Sequence, residues 1–169
     1  MSWADDLHGV RARFTGPGLV EPREAIAVSG LEFLRRLQSG QFPSPPFAGE
    51  MDIYPITIES GFIVFQAIPS LRYYNPLGIV HGGYLATLLD TALGCAVHSV
   101  LAAGEAFSTI EMSIRFIRPV TEATGHIRAD GRLVNRSRNI AVAEGRILSE
   151  DGKVIAHGAE TCQIREASP

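Results

Sequence analysis

From Tyr84 to Ala103 the chain reads YLATLLDTALGCAVHSVLAA, a stretch with a single carboxylate, Asp90, and no Lys or Arg. Tyr84, Cys95 and His98 are its only other ionisable groups. A helix over this stretch is apolar nearly all round, so it needs cover on most of its surface. A bilayer would provide that cover, but Asp90 would then lie near its middle, at a cost of about 2.5–3.5 kcal/mol. No cluster of Lys or Arg flanks the stretch, and the segments after it alternate like strands of a sheet. The expectation is a central helix of a globular protein, with no membrane partner. A sheet covers one side of it, and a second subunit is the simplest cover for the rest.

Burying an unpaired charge is costly, so an acid in such a helix marks either a use or a local partner. Immediately upstream lies NPLGIVHGG, Asn75 to Gly83, which places two glycines where the helix should begin. Helix starts leave N–H groups free and favour negative charge. A lone helical acid after an anion-accepting helix start points to an enzyme. The competing reading is a structural acid bonded to Thr87, Thr91 or a backbone N–H.

The 169 residues fit one domain with an N-terminal extension, and the net charge of −3 gives no footprint for nucleic acid. Cys95 and Cys162 lie in apolar surroundings without a CxxC pattern, and read as reduced core thiols. No metal site is expected. The first 25 residues lack a basic segment followed by an apolar run, so the expected location is cytoplasmic.

Residues 1–48 read as the extension. Residues 1–28 are weakly periodic and suggest partial disorder. Ser29-Gly30-Leu31-Glu32 has the form of a capping box, and Leu31, Leu34 and Leu37 follow at helical spacing up to Gly40. Pro43-Ser44-Pro45-Pro46 is a stiff connector. The main domain is assigned to residues 49–166. Met51–Ile58 and Phe62–Ile68 read as two strands before the long helix. Thr109–Arg118, Gly125–Asn135, Asn139–Ser149 and Lys153–Arg165 read as four strands after it. In the first of these four, Ile110, Met112, Ile114 and Phe116 alternate with Thr109, Glu111, Ser113 and Arg115. The fold class is therefore α+β, an antiparallel sheet wrapped around a long central helix, with an N-terminal helical extension.

Asn75-Pro76, Val80-His81-Gly82-Gly83, Thr87, Asp90 and Ala92 resemble the hotdog-fold thioesterases, specifically the phenylacetate-pathway (PaaI-like) group of acyl-CoA thioesterases. Thr109-Ile110-Glu111-Met112, Phe116-Ile117-Arg118-Pro119 and the turn at Asp151-Gly152-Lys153 extend the match over roughly residues 29–165. The spacing is more specific than the HGG triplet alone, with Asn six residues before His81 and the acid seven after Gly83. The resemblance implies hydrolysis of an acyl-CoA thioester to free acid and CoA, with no cofactor beyond the CoA of the substrate. It implies Asp90 as nucleophile or general base and the Gly82 N–H as the group polarising the carbonyl. Asn75 would help position water or thioester, and His81 would shape the loop. Thr109 would lie near the attacking water, with Ser108 as its competitor. Gly83 and Thr87 would line the substrate site. Arg136 and Arg138, in Asn135-Arg136-Ser137-Arg138-Asn139, stand near the family's CoA-phosphate contacts, although Ser137 replaces the family's usual glycine.

Asp90 follows Gly82 by eight residues, or about 12 Å along a helix. Reacting atoms must come within about 3–3.5 Å. One chain's Asp90 and Gly82 therefore do not serve one carbonyl, whereas antiparallel helices of two subunits would bring them together. The expectation is a homodimer with two shared sites, which a dimer of dimers would extend to a tetramer. On the helix, Gly83, Thr87, Gly94 and Val97 share the Asp90 face, and Leu85, Leu88, Leu89, Ala92 and Ala96 face the sheet. Two other functions fit less well. An enoyl-thioester hydratase or dehydratase needs His and acid together at one alkene, and His81 is nine residues before Asp90. A non-catalytic acyl-CoA-binding protein has no need of Asp90.

Overall fold

The computed structural model describes residues 2–14 and 16–167. Four helices come first: α1 (Trp3–Arg11), α2 (Pro22–Ile26), α3 (Gly30–Ser39) and α4 (Pro46–Met51). Strands β1 (Ile53–Glu59) and β2 (Phe62–Ala67) precede the long helix α5 (Gly82–His98). Strands β3 (Glu105–Phe116), β4 (Ile127–Arg136), β5 (Ile140–Ser149) and β6 (Val154–Glu166) follow it. The strands form one antiparallel sheet in the order β1-β2-β4-β5-β6-β3. Two strands, a helix and four strands is the order expected, and the sheet wraps the central helix.

Leu85, Leu88, Leu89, Ala92, Leu93 and Ala96 of α5 are buried against the sheet. The close approach needs Gly131 on β4, where a Cβ would sit 2.2 Å from the Ala92 carbonyl oxygen. Helix α5 ends at His98, five residues short of the expected Ala103. Single-turn bonds from Val100 and Leu101 close it, and the Leu101 carbonyl turns to accept the Gly30 N–H at 3.0 Å. The residues beyond the helix thereby dock the start of α3. No helix of the described residues is long and apolar enough to cross a membrane.

The extension departs from expectation. Residues 1–28 carry two helices where partial disorder is expected. Ser2 and Asp5 form a capping box at the start of α1, and the Asp6 carboxylate accepts from Arg128 at 2.5 Å. Buried Gln66 of β2 donates to the Trp3 carbonyl at 2.7 Å and accepts from Arg128 Nε at 2.8 Å. These bonds join residues more than 60 apart in sequence, which local periodicity does not reveal. The Pro-rich connector runs directly into α4, with Pro46 at its first position. Helix α3 has the expected bounds, with the Gly40 cap in the left-handed conformation (φ 79°).

A bulge between Thr109 and Glu111 corrects the simple alternation of β3. Thr109 pairs with buried Cys162, and Met112 pairs with buried Glu160. Thr109 therefore shares the helix-facing side with Phe107, Met112 and Ile114. Glu111, Ser113 and Arg115 lie on the other face. The extra residue, Ile110, is 59% exposed on the sheet edge.

His98 is half-buried between Phe33, stacked at 5.1 Å between centroids, and Phe107 at 5.7 Å. Burial pushes its imidazole down to about 4. Protonation thus favours the unfolded chain, where the value is near 6.5. The stabilisation is complete above about 6.5 and is lost as pH falls toward 4, by roughly 3 kcal/mol at most. Unfolding midpoints measured from pH 7 to pH 4 should fall more steeply for the wild type than for His98→Gln.

Candidate active site

Chain topology gathers the candidate site residues into two groups on α5, candidate half-sites at its start and at its middle. At the start, the Asn75 side-chain oxygen accepts from the Leu77 N–H at 2.9 Å and the Ile79 N–H at 3.4 Å. These bonds use the oxygen in shaping the loop and leave the amide NH2 as the group available to a ligand. His81 is the N-cap of α5, and its Nδ1 accepts the Gly83 N–H at 2.9 Å. That bond occupies the Gly83 donor. The Gly82 N–H makes no hydrogen bond among the described residues, as helix starts allow. Phe116 lies over Gly82, with its Cζ 3.2 Å from where a Cβ would stand. Asn75, Val80, Gly82, Phe116 and Arg118 line an open groove of about 270 Å³.

Two turns further along α5, the Asp90 side chain is exposed on the uncovered face of the helix. It makes no hydrogen bond or ion pair among the described residues. Thr91 Oγ1 donates instead to the Thr87 carbonyl at 2.8 Å. The local structural partners considered for Asp90 are thus not used. Surrounding apolar atoms remove part of its hydration and raise its carboxyl above the usual range. Thr87 and Gly83 flank Asp90 on the same open face, whereas Gly94 and Val97 are covered. Phe107 supplies the cover at Gly94, where a Cβ would lie 3.3 Å from its ring.

Thr109 belongs to this middle half-site, and the bulge puts it there. Its Oγ1 donates to Glu160 Oε1 at 2.7 Å. Ser108 pairs with exposed Gln163 and so faces away from the helix. Glu160, on β6, is 1% exposed and lies 3.6 Å from a Cβ position at Gly94. Its Oε1 also accepts from Cys162 Sγ at 3.0 Å, and its Oε2 has no partner among the described residues. Burial raises the Glu160 carboxyl, and the charge of Asp90 adds to that effect. Sequence reading missed Glu160. The available signal was strand alternation: Ala156, Gly158, Glu160, Cys162 and Ile164 share one face, and the other four are small or apolar.

The two arginines lie apart from both half-sites in the sequence, around the β4–β5 turn. Arg136 pairs with Glu105 at 2.5 Å. Arg138 is exposed and makes no ion pair among the described residues. No group of His, Cys, Asp and Glu suited to a metal ion occurs among the described residues.

The sequence model of the thioesterase superfamily matches residues 77–156, which hold Gly82, Asp90 and Thr109. A solved structure from Ralstonia eutropha, titled a "putative thioesterase, phenylacetic acid degradation-related protein", is 30% identical, with a TM-score of 0.70. That alignment covers 76% of this chain and 97% of the other. A "putative esterase" of Caenorhabditis elegans is 29% identical over 123 residues, 70% of this chain and 69% of the relative. A second "putative esterase", from Halobacterium salinarum, is 42% identical over 74 residues, 43% of this chain and 47% of the relative. With its sheet wrapped around α5, and with Gly82, Asp90 and Thr109 inside the matched segment, the chain belongs to the PaaI-like group of the hotdog-fold thioesterase superfamily.

Proposed function

We propose that the protein hydrolyses an acyl-CoA thioester, at two sites formed between two copies of the chain. The observation that carries this reading is the pair of unused groups on α5. One is the Gly82 N–H at its start, and the other is the Asp90 carboxylate on its open face. They are about 12 Å apart along one helix, so the second copy supplies the missing half of each site. The uncovered edge of β3 supports the pairing, with Ile110, Phe116 and Ile117 at 59%, 52% and 49% exposure.

In each shared site, one copy's Gly82 N–H and Asn75 NH2 hold the thioester carbonyl oxygen. The other copy's Asp90 takes a proton from water as the water oxygen bonds to the carbonyl carbon. Negative charge grows on the carbonyl oxygen, where the N–H at the helix start stabilises it. Collapse breaks the C–S bond, and the departing thiolate of CoA takes the proton from Asp90. Thioester and water thus become acid and thiol. His81 keeps the Gly83 N–H occupied, so Gly82 presents a single directed donor.

A partly open apolar cavity of about 150 Å³ lies between α5 and the N-terminal helices. Leu34, Leu37, Phe47, Ile58, Thr91 and Cys95 are among its walls. Apolar cavities of about this size hold a benzene ring. A small aryl or short alkyl acyl group fits it, and Thr91 places it one residue from Asp90. Of the two candidate arginines, Arg138 is the one free to meet the CoA phosphates, because Arg136 is held by Glu105.

The test is thiol release from a panel of aryl- and alkyl-acyl-CoA esters. The wild type should turn over some members, and Asp90→Asn should lose at least about 100-fold in kcat while still binding them. Undiminished turnover by Asp90→Asn removes Asp90 from the chemistry. Tight binding without turnover by the wild type makes the protein an acyl-CoA-binding module. Because the base must be ionised and its carboxyl is raised, kcat/KM should fall as pH drops through a value above the usual carboxylate range.

A further inference from the structure

A buried acid with one oxygen unsatisfied is costly, and a fold retains it at a price in stability. Glu160 is such an acid, and among the described residues its partners are Thr109 Oγ1 at 2.7 Å and Cys162 Sγ at 3.0 Å. A threonine hydroxyl has one proton to donate and lone pairs to accept with. We propose that Glu160 is a positioning residue for the hydrolysis: by taking the Thr109 hydroxyl proton, it fixes Thr109 as a hydrogen-bond acceptor for the attacking water.

The geometry gives that fixed polarity a purpose. Water bound by Thr109 as acceptor points one proton at Thr109 and offers the other to Asp90. A lone pair then remains directed at the thioester carbon. A freely rotating Thr109 hydroxyl would instead donate to the water, or to Asp90 itself, and would compete with the proton transfer. Glu160 reaches Thr109 across the β3–β6 pair, and Thr109 itself stays exposed. Two protein donors converge on Oε1; burial and the nearby Asp90 raise the Glu160 carboxyl, while those two bonds oppose the rise.

This inference rests on the thioesterase reading, and the experiment separates the two. Steady-state kinetics on the best acyl-CoA ester are compared for wild type, Glu160→Ala, Glu160→Gln, Thr109→Val and the Glu160→Ala/Thr109→Val double variant. Glu160→Ala and Thr109→Val should each lower kcat by about 10- to 100-fold, the scale of a misplaced reactant, with KM little changed. The double variant should lose no more than either single one, because both act on one water. Glu160→Gln should recover most of the loss, since its amide oxygen replaces Oε1 as acceptor. Full kcat in Glu160→Ala, or losses that multiply in the double variant, overturns the role of Glu160. If Glu160→Ala does not fold, the proposal still requires the loss in Thr109→Val and its absence in Glu160→Gln. No turnover by the wild type on any ester removes the thioesterase reading and this role with it. Turnover by the wild type with a normal Glu160→Ala removes this role alone.

Discussion

A helix is a ruler. Once the chain commits Gly82 to the first position of α5 and Asp90 to its middle, the distance between donor and acid is fixed at about 12 Å. No side-chain rearrangement closes that gap. The burial of Leu85, Leu88, Leu89 and Ala92 against the sheet also fixes which way Asp90 points. The uncovered face of α5, the exposed edge of β3 and the incomplete half-sites all follow from this one element. In the proposed dimer, a second copy covering that face would complete the chemistry in the same contact.

The sheet is built to support that helix. Gly131 lets the backbone of α5 approach β4 closely, and the bulge at Ile110 turns Thr109 inward toward Glu160. At the far end, the turn after His98 anchors α3 through the Gly30 N–H. Helices α3 and α4 then close an apolar cavity beside Thr91 and Cys95. The extension, whose sequence does not decide between capping the pocket and merely lengthening the fold, thus forms one wall of the proposed acyl pocket.

Much of this could be read from the chain without coordinates, and the exceptions have physical causes. The order of elements followed from periodicity, and the bounds of α3 followed from Ser29 and Gly40. Asp90 stood out because a charge in an apolar helix violates an energetic rule. Helices α1 and α2 escaped notice because long-range bonds among Trp3, Asp6, Gln66 and Arg128 hold α1 in place. The pairing of Thr109 with Met112 on one face escaped because a bulge shifts strand parity, and parity is what alternation assumes. Glu160 was hidden for a related reason: an acid among alternating residues looks solvated until the buried face of its strand is known. The bonds made by Asn75 and His81, and the N–H that Gly82 keeps free among the described residues, became distinguishable only in the folded loop.

Mixed dimers made from two inactive variants probe the shared site. Asp90→Asn removes the acid. Gly82→Pro removes the N–H at the first helical position, where proline is tolerated and where His81 already has an extended backbone (φ −63°, ψ 135°). In a random equal mixture, half of the dimers are mixed and one of their two sites is intact, so about a quarter of wild-type activity should return. No recovery, in a mixture shown to contain mixed dimers, would mean that Asp90 and Gly82 of one chain act together and that the shared site is wrong.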